Sequence, residues 1–148
     1  MITDATRISL YDYLTTLFSS VTANIYPMTE PTETTKSDVE NGFIVTNVGN
    51  VTDESEFDGE AYGWVRCQVT AFVPKRQRGR LNKELYKGFE DGILGVIANN
   101  TGVQNTDGYY ILEDSVLSME DNENTQQGNQ YHVFVKSFVV VIDQQSNS

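Results

Sequence analysis

Apolar residues alternate with polar or aromatic ones along residues 62–74. The apolar row consists of Val65, Cys67, Val69, Ala71 and Val73. Alternation with a period of two places such a row on one face of a β-strand. Pro74 cannot donate a hydrogen bond to a neighbouring strand, so it predicts the end of the strand or a free sheet edge. The rest of the predicted fold is built around this long strand.

The stretch that follows has the spacing of an amphipathic helix, beginning at about Arg80 and ending near the Asn-Asn-Thr-Gly sequence at 99–102. The apolar stripe consists of Leu81, Leu85, Phe89 and Val96, with Tyr86, Ile93 and Ile97 beside it. Gly88 and Gly92 lie one turn apart on one edge, which predicts a close approach by the same subunit or by a neighbouring chain. Packing this helix on the strand is the simplest way to bury both apolar rows.

The remaining pattern predicts one more helix, three more strands and a short extended piece. The helix covers about 4–21, with Asp4 or Thr3 as its N-cap and a stripe of Ile8, Tyr11, Leu14 and Phe18. The extended piece covers 24–27, and the strands cover 42–51, 109–117 and 131–142. The last strand is largely apolar on both faces, so we expect it to be central in the sheet or to meet another subunit.

This order of elements predicts an α+β fold over a single domain, 1–148: a mostly antiparallel four- to five-stranded sheet with two helices packed on one face. Polar connections are predicted to be mobile loops at about 28–41, 52–61 and 119–130, with a frayed tail at 143–148. If both helices cover one face, the other face is bare. The large apolar residues expected on that bare face are Trp64, Phe72, Phe134 and Phe138.

Charge is unevenly distributed along the chain. The formal net charge is -11, from 21 acidic and 10 basic residues. Six of the basic residues fall between 75 and 87: Lys75, Arg76, Arg78, Arg80, Lys83 and Lys87. A chain that is acidic overall repels nucleic acid and anionic membranes on average. Binding of nucleic acid by the basic cluster stays a minor alternative.

The basic cluster is interpreted either as a solvated turn or as a contact patch for an acidic partner. The acidic connection at 52–61 fits such a partner, as does 28–41, when it belongs to another copy of the chain. The candidate acidic contacts are Glu54, Glu56, Asp58 and Glu60. This connection is alternatively a solvated hairpin, or an arm that becomes ordered only on a partner subunit. A head-to-tail contact between unlike patches builds rings or filaments.

No pattern of catalytic or metal-binding residues is found. The one cysteine, Cys67, lies in the apolar row and is interpreted as a small buried hydrophobe. The one histidine, His132, excludes a multi-histidine metal site within one chain. Phosphate-binding, dinucleotide-binding and nucleophile-elbow motifs are absent. We therefore expect no enzyme activity, no metal and no cofactor. Without a secretion signal or a long apolar segment, we also expect a reducing compartment and no membrane contact.

The order of elements resembles that of one family. An amphipathic helix, the piece Ile25-Tyr26-Pro27, a variable loop and a strand at 43–45 precede the long strand at 65–72. A helix and two closing strands follow, the last beginning His132-Val133-Phe134-Val135. This order, over about 4–142, resembles the tail-completion and tail-terminator proteins of long-tailed phages and their prophage copies. The long acidic insert before Trp64 departs from the family pattern.

The resemblance implies a structural protein that forms a homo-oligomeric ring, commonly a hexamer, at the head–tail junction. Its implied partners are tail-tube and head-connector proteins, and DNA passes through its lumen without specific binding. It implies a location in the virion, and in the host cytoplasm during assembly. The long loops would be arms that reach adjacent subunits. The alternative function is a small α+β binding module or accessory protein, with a pocket between sheet and helices.

Overall fold

The computed structural model describes residues 4–49, 55–58, 62–76, 79–120 and 131–143. The elements, in chain order, are α1 (Asp4–Phe18), β1 (Ile25–Pro27), α2 (Lys36–Asn41), β2 (Phe43–Val48), β3 (Ser55–Asp58), β4 (Tyr62–Pro74), α3 (Lys83–Asn100), β5 (Tyr109–Ile111), β6 (Leu117–Glu120) and β7 (Tyr131–Asp143). All seven strands belong to one sheet. The α+β class is confirmed, whereas the predicted strand number of four to five is too small.

Two long strands form the middle of the sheet. β4 and β7 pair antiparallel over their whole lengths, from Tyr62 opposite Asp143 to Pro74 opposite Tyr131. β2 and β3 pair with the other edge of β4, one after the other along its length. β5 and β6 do the same on the other edge of β7. Only β1 runs parallel to its neighbour, β2, so the prediction of a mostly antiparallel sheet is confirmed.

The extra strands come from stretches that the sequence pattern predicted differently. β3 lies inside the connection at 52–61, which was predicted to be a loop. The single strand predicted over 109–117 is instead β5 and β6, with a turn between them. In that turn the Ser115 hydroxyl accepts from the Val139 amide at 3.0 Å and donates to the Leu112 carbonyl at 2.6 Å. A side chain therefore replaces the missing strand partner of β7 at this point.

One face of the sheet, here called the inner face, carries the predicted apolar row of β4. Each residue of that row is at most 1% exposed. The same hydrophobic cluster contains Leu10, Leu14 and Phe18 of α1, Phe89, Ile93 and Ile97 of α3, and Phe134, Phe138, Val140 and Ile142 of β7. Burial raises the pKa of the Cys67 thiol to about 12, so this side chain is protonated at neutral pH and acts as a buried hydrophobe.

The opposite face, here called the outer face, is not bare, and three of the four residues predicted to lie exposed there are buried. The register places Phe134 opposite Ala71 and Phe138 opposite Cys67, so both lie on the inner face. Phe72 does lie on the outer face, but it is 1% exposed and packs in an aromatic cluster. Trp64 is half-buried. Which alternate residues of β7 share a face with the apolar row of β4 depends on the pairing register of the two strands. The sequence did not define that register.

The aromatic cluster of the outer face contains Tyr26, Phe43, Phe72 and Tyr131, with Val45 and Val133. Phe43 stacks on Phe72 with ring centroids 4.5 Å apart, and Tyr131 meets both rings edge to face. The stretch 28–41, predicted to be a loop, contains α2 and supplies the cluster's polar border. Asp38 forms a capping box with Thr35 and accepts the Tyr26 hydroxyl at 2.6 Å.

The helices differ from their predictions mainly at their ends. α3 begins at Lys83, because the Asn82 side chain caps it by accepting from the Leu85 amide. Leu81, predicted to belong to the helical stripe, precedes this cap and is 39% exposed. In α1 the predicted stripe is wrong at Ile8, which is 61% exposed, and right at Leu14. Short apolar stripes define a helix face only to within a residue or two.

Candidate interaction surfaces

The basic residues lie at the corner between β4 and α3. Arg76, Arg80, Lys83 and Lys87 are exposed, and Lys75 is half-buried. Arg78 lies outside the described residues. The Arg76 amide donates to the Arg80 carbonyl at 2.8 Å, and the Gly79 amide donates to the Arg76 carbonyl at 3.1 Å. We call the described basic residues Lys75, Arg76, Arg80, Lys83 and Lys87 the basic corner.

The basic corner has no neutralising partner within the part of the chain that the structure describes. The two ion pairs found there are Lys36 with Glu40 and Lys136 with Glu90, and neither involves the corner. The Arg76 guanidinium reaches only the Asn82 side-chain oxygen, at 3.4 Å. The positive charge of the corner therefore faces solvent, where an acidic partner would meet it.

The predicted acidic contacts cannot be compared with this corner. Glu54 and Glu60 lie outside the described residues. Glu56 and Asp58 belong to β3, where the backbone pairs with β4 opposite Trp64 and Tyr62. The contact of these four carboxylates with the basic corner of another copy therefore stays a prediction.

Other exposed apolar side chains lie at loops, helix surfaces and the edge strand β6, rather than on the two central strands. Those in the β5–β6 region are Leu112, Leu117 and Met119, and Leu94 lies nearby on α3. Between α3 and the β5–β6 turn is an open groove of ≈ 510 Å³, lined by Leu94, Ile97, Ala98, Thr101, Glu113, Asp114 and Val116. We call it the acidic groove, because Glu113 and Asp114 are its only charged lining residues.

The acidic wall of this groove is fixed from both sides. The Leu112 amide donates to the Val139 carbonyl at 2.9 Å, on one side of Glu113 and Asp114. On the other side, the Ser115 carbonyl accepts from the Arg66 guanidinium at 3.3 Å. Asp114 has a φ of 58°, a left-handed conformation in which aspartate is tolerated. Both carboxylates are exposed, and we call them the acidic rim of the groove. Its apolar lining residues, here called the apolar floor, are Leu94, Ile97, Ala98 and Val116.

A second, smaller cavity of ≈ 160 Å³ lies beside the buried ammonium of Lys136. Its lining consists of Tyr86, Glu90, Ser118, Met119, Phe134 and Lys136. The Lys136 side chain is 7% exposed; it donates to Glu90 at 3.2 Å and to Ser118 at 2.9 Å. A buried cation must be paired to be tolerated in an apolar core. The sequence pattern showed Lys136 as a charge within an apolar strand, but Glu90 and Ser118 are distant in sequence and join it only in the fold.

Among the described residues, no group of histidine, cysteine and carboxylate side chains is arranged to hold a metal ion. None of the helices in the described ranges has the length and apolar character needed to cross a membrane. No protein-family model matches the chain, and a search of curated proteins found no match either. The resemblance to phage tail-terminator proteins therefore stays a prediction from the order of elements.

Proposed function

We propose that this chain is a structural subunit of a phage or prophage virion, a tail-terminator or tail-completion protein that acts as a homo-oligomeric ring at the head–tail junction. The observation that carries the proposal is the basic corner, which is exposed and unpaired among the described residues of a chain whose net charge is -11. Such a patch has its best partner in an acidic surface of another copy. Because the two surfaces differ, repeated contacts lead to a ring or a filament.

Further features support this proposal. The predicted elements on which the resemblance rests occur in the same order, with α2 and β3 added and with the first closing strand divided into β5 and β6. We take α1 and α3 to cover the inner face of the sheet, as their shared hydrophobic cluster supports. The exposed apolar side chains beside the acidic groove supply area for a contact, while the charges guide the encounter and fix its register. A lumen lined by an acidic chain would let DNA pass without sticking.

Light scattering on the purified protein tests the proposal. At low salt we expect a mass several times the 16.6 kDa of one chain. At about 1 M salt, where charges are screened beyond roughly 3 Å, we expect the mass to fall. A single species of 16.6 kDa at every protein concentration, with or without purified tail-tube protein, would overturn it. Retention on duplex DNA at low salt would favour the nucleic-acid alternative.

A second candidate function, a small binding module, is favoured by the cavity beside Lys136. Glu90 is 37% exposed, so it can turn towards solvent, and a ligand carboxylate would then take its place on the Lys136 ammonium. The aromatic rings of Tyr86 and Phe134, 4.8 Å apart, would contact an apolar ligand body. Benzoate is a suitable probe. Thermal stabilisation of the wild-type chain but not of Lys136→Met would support this function, and no stabilisation of either would contradict it.

A further inference from the structure

We propose that the basic corner of one copy binds the acidic groove of the next copy, with Leu81 inserted between the groove's apolar side chains. This inference deepens the proposed ring and rests on it, because it names the two surfaces that join neighbouring subunits. Leu81 is a 39% exposed apolar residue in a positively charged setting, with Arg80 before it and Lys83 shortly after it. The groove has the complementary arrangement, an apolar floor below Glu113 and Asp114.

The two surfaces lie at opposite ends of the same helix. Lys83 begins α3, whereas Ala98 and Thr101 at its far end line the acidic groove. A helix of 18 residues at a rise of about 1.5 Å per residue is roughly 27 Å long. The corner therefore cannot reach the groove of its own chain. It can reach the groove of a second copy, and one copy then still has its groove available while the other still has its corner.

The charges are also placed against the dipole of their own helix. A helix N-terminus carries a partial positive charge and favours acidic neighbours, while its C-terminus favours basic ones. Apart from Glu84, the charged residues in the first turn of α3 and just before it are basic, and the C-terminal end adjoins Glu113 and Asp114. Within one copy this arrangement is unfavourable. Head-to-tail contact reverses it, because it joins the negative end of one helix to the positive end of the next.

Both surfaces are preformed, so little conformational freedom is lost on contact. On the corner, the Arg76 amide donates to the Arg80 carbonyl directly before Leu81, and Asn82 caps the helix after it. The acidic rim is fixed by the Ser115 hydrogen bonds described above. Preorganised surfaces bind more tightly for the same buried area. A flexible partner peptide or a nucleic acid would not need the apolar floor and the charged rim in this fixed combination.

Exchange of charges tests the contact. Arg80→Glu and Glu113→Lys are each expected to raise the protein concentration needed for assembly by on the order of tenfold, while the double variant restores assembly. Both residues are exposed, so the variants keep the fold, which circular dichroism verifies. Lys36→Glu and Glu40→Lys are the matched controls, since they change the net charge equally on α2. Asp114 is left unchanged because its left-handed backbone restricts substitution.

Disulfide trapping tests the contact without depending on a stable ring. Copies with Leu81→Cys are mixed with copies with Ala98→Cys and oxidised. We expect a dimer in which one disulfide joins a copy of each kind. The native Cys67 is 1% exposed and stays silent. Ile8→Cys, on the exposed side of α1, is the control partner for Leu81→Cys. It should give far less dimer.

The outcomes separate this inference from the proposed ring. An oligomer that forms normally, without the Leu81–Ala98 link and without sensitivity to Arg80→Glu or Glu113→Lys, overturns the contact and leaves the ring standing. The trapped link in a chain that builds only open fibres supports the contact and overturns the ring. A monomer that gives no link overturns both. Binding of duplex DNA that Arg80→Glu abolishes, with no link formed, assigns the corner to nucleic acid and overturns the contact.

Discussion

The inner and outer faces of the sheet bury their apolar side chains in different ways. The described part of the inner face belongs to a cluster of 21 buried residues that includes side chains of α1 and α3. The corresponding cluster of the outer face has five buried residues, all at one end of the sheet. Further along the outer face β4 carries the polar side chains Arg66, Gln68 and Thr70. Beside them on that face β7 carries Val135, Val139 and Val141, which are at most 6% exposed. The central strands therefore need no partner to cover them within the described ranges, and surfaces for assembly must be sought at the corners and edges.

Truncation of one buried phenylalanine on each face compares the two clusters directly. Phe138→Ala, on the inner face against Phe18, is expected to lower the free energy of unfolding by about 3–5 kcal/mol. Phe72→Ala should cost about 3 kcal/mol, the lower end of that range, because half-buried Tyr26 at the border can move into the space. Urea denaturation measures both. An equal or larger loss for Phe72→Ala would show that the small cluster is as rigid as the core.

Two tyrosines extend the comparison to polar atoms. The Tyr26 hydroxyl, on the outer face, donates to the fully buried carboxylate of Asp38, so Tyr26→Phe removes a charge-assisted bond. We expect a loss of about 1.5 kcal/mol, the low end for such bonds because Tyr26 is half-buried. The Tyr13 hydroxyl, on the inner side, is buried with no hydrogen-bond partner among the described residues. Tyr13→Phe should therefore be neutral or slightly stabilising, and a clear loss would contradict this.

The ion pair of Lys136 and Glu90 on the inner face should respond unequally to removal of its two members. Glu90→Ala leaves the Lys136 ammonium buried beside Ser118 alone, and we expect it to cost about 1–2 kcal/mol, less than for a fully buried pair because Glu90 is 37% exposed. Lys136→Met leaves Glu90 free to turn into water and should change the free energy of unfolding by less than about 1 kcal/mol. Thermal unfolding compares the two variants. A larger loss of stability for Lys136→Met than for Glu90→Ala would show that Glu90 is held in the core.

Alkaline pH should lower the free energy of unfolding through one tyrosine on each face. Burial is the main cause that raises the pKa of Tyr13 to about 12, and burial followed by the bond to Asp38 raises that of Tyr26 to about 12. Both exceed the usual value of 10.0, so the folded state holds these protons more tightly. The resulting stability is fully present below pH 10 and is lost as pH rises to 12. Urea titrations at several pH values should show this decline, and a smaller decline in Tyr26→Phe. An unchanged slope in that variant would contradict the assignment.

The strength of each pattern decided how well it predicted structure. The period-two row of β4 was long enough to identify the strand and its buried side. The helical stripe identified α3, but of its four residues only Phe89 is buried, with Ile93 and Ile97 beside it. Short elements were missed: α2 depends on the capping box of Thr35 and Asp38, and β3 on its pairing with β4. The acidic groove was not predicted, because its walls come from α3 and the β5–β6 turn. In the sequence, Glu113 and Asp114 are two adjacent carboxylates, and nothing near them in the chain indicates the side chains of α3 that complete the groove.

The sequence by itself determined the α+β class, the long central strand, the long helix after it and the concentration of positive charge at the start of that helix. These properties follow from local periodicity and composition. Only the tertiary structure decided which face Phe134 and Phe138 share, which side chains pair with Lys136, and which end of α3 adjoins the acidic rim. Those facts depend on strand register and on contacts between residues far apart in the chain, and local sequence patterns predict neither of these.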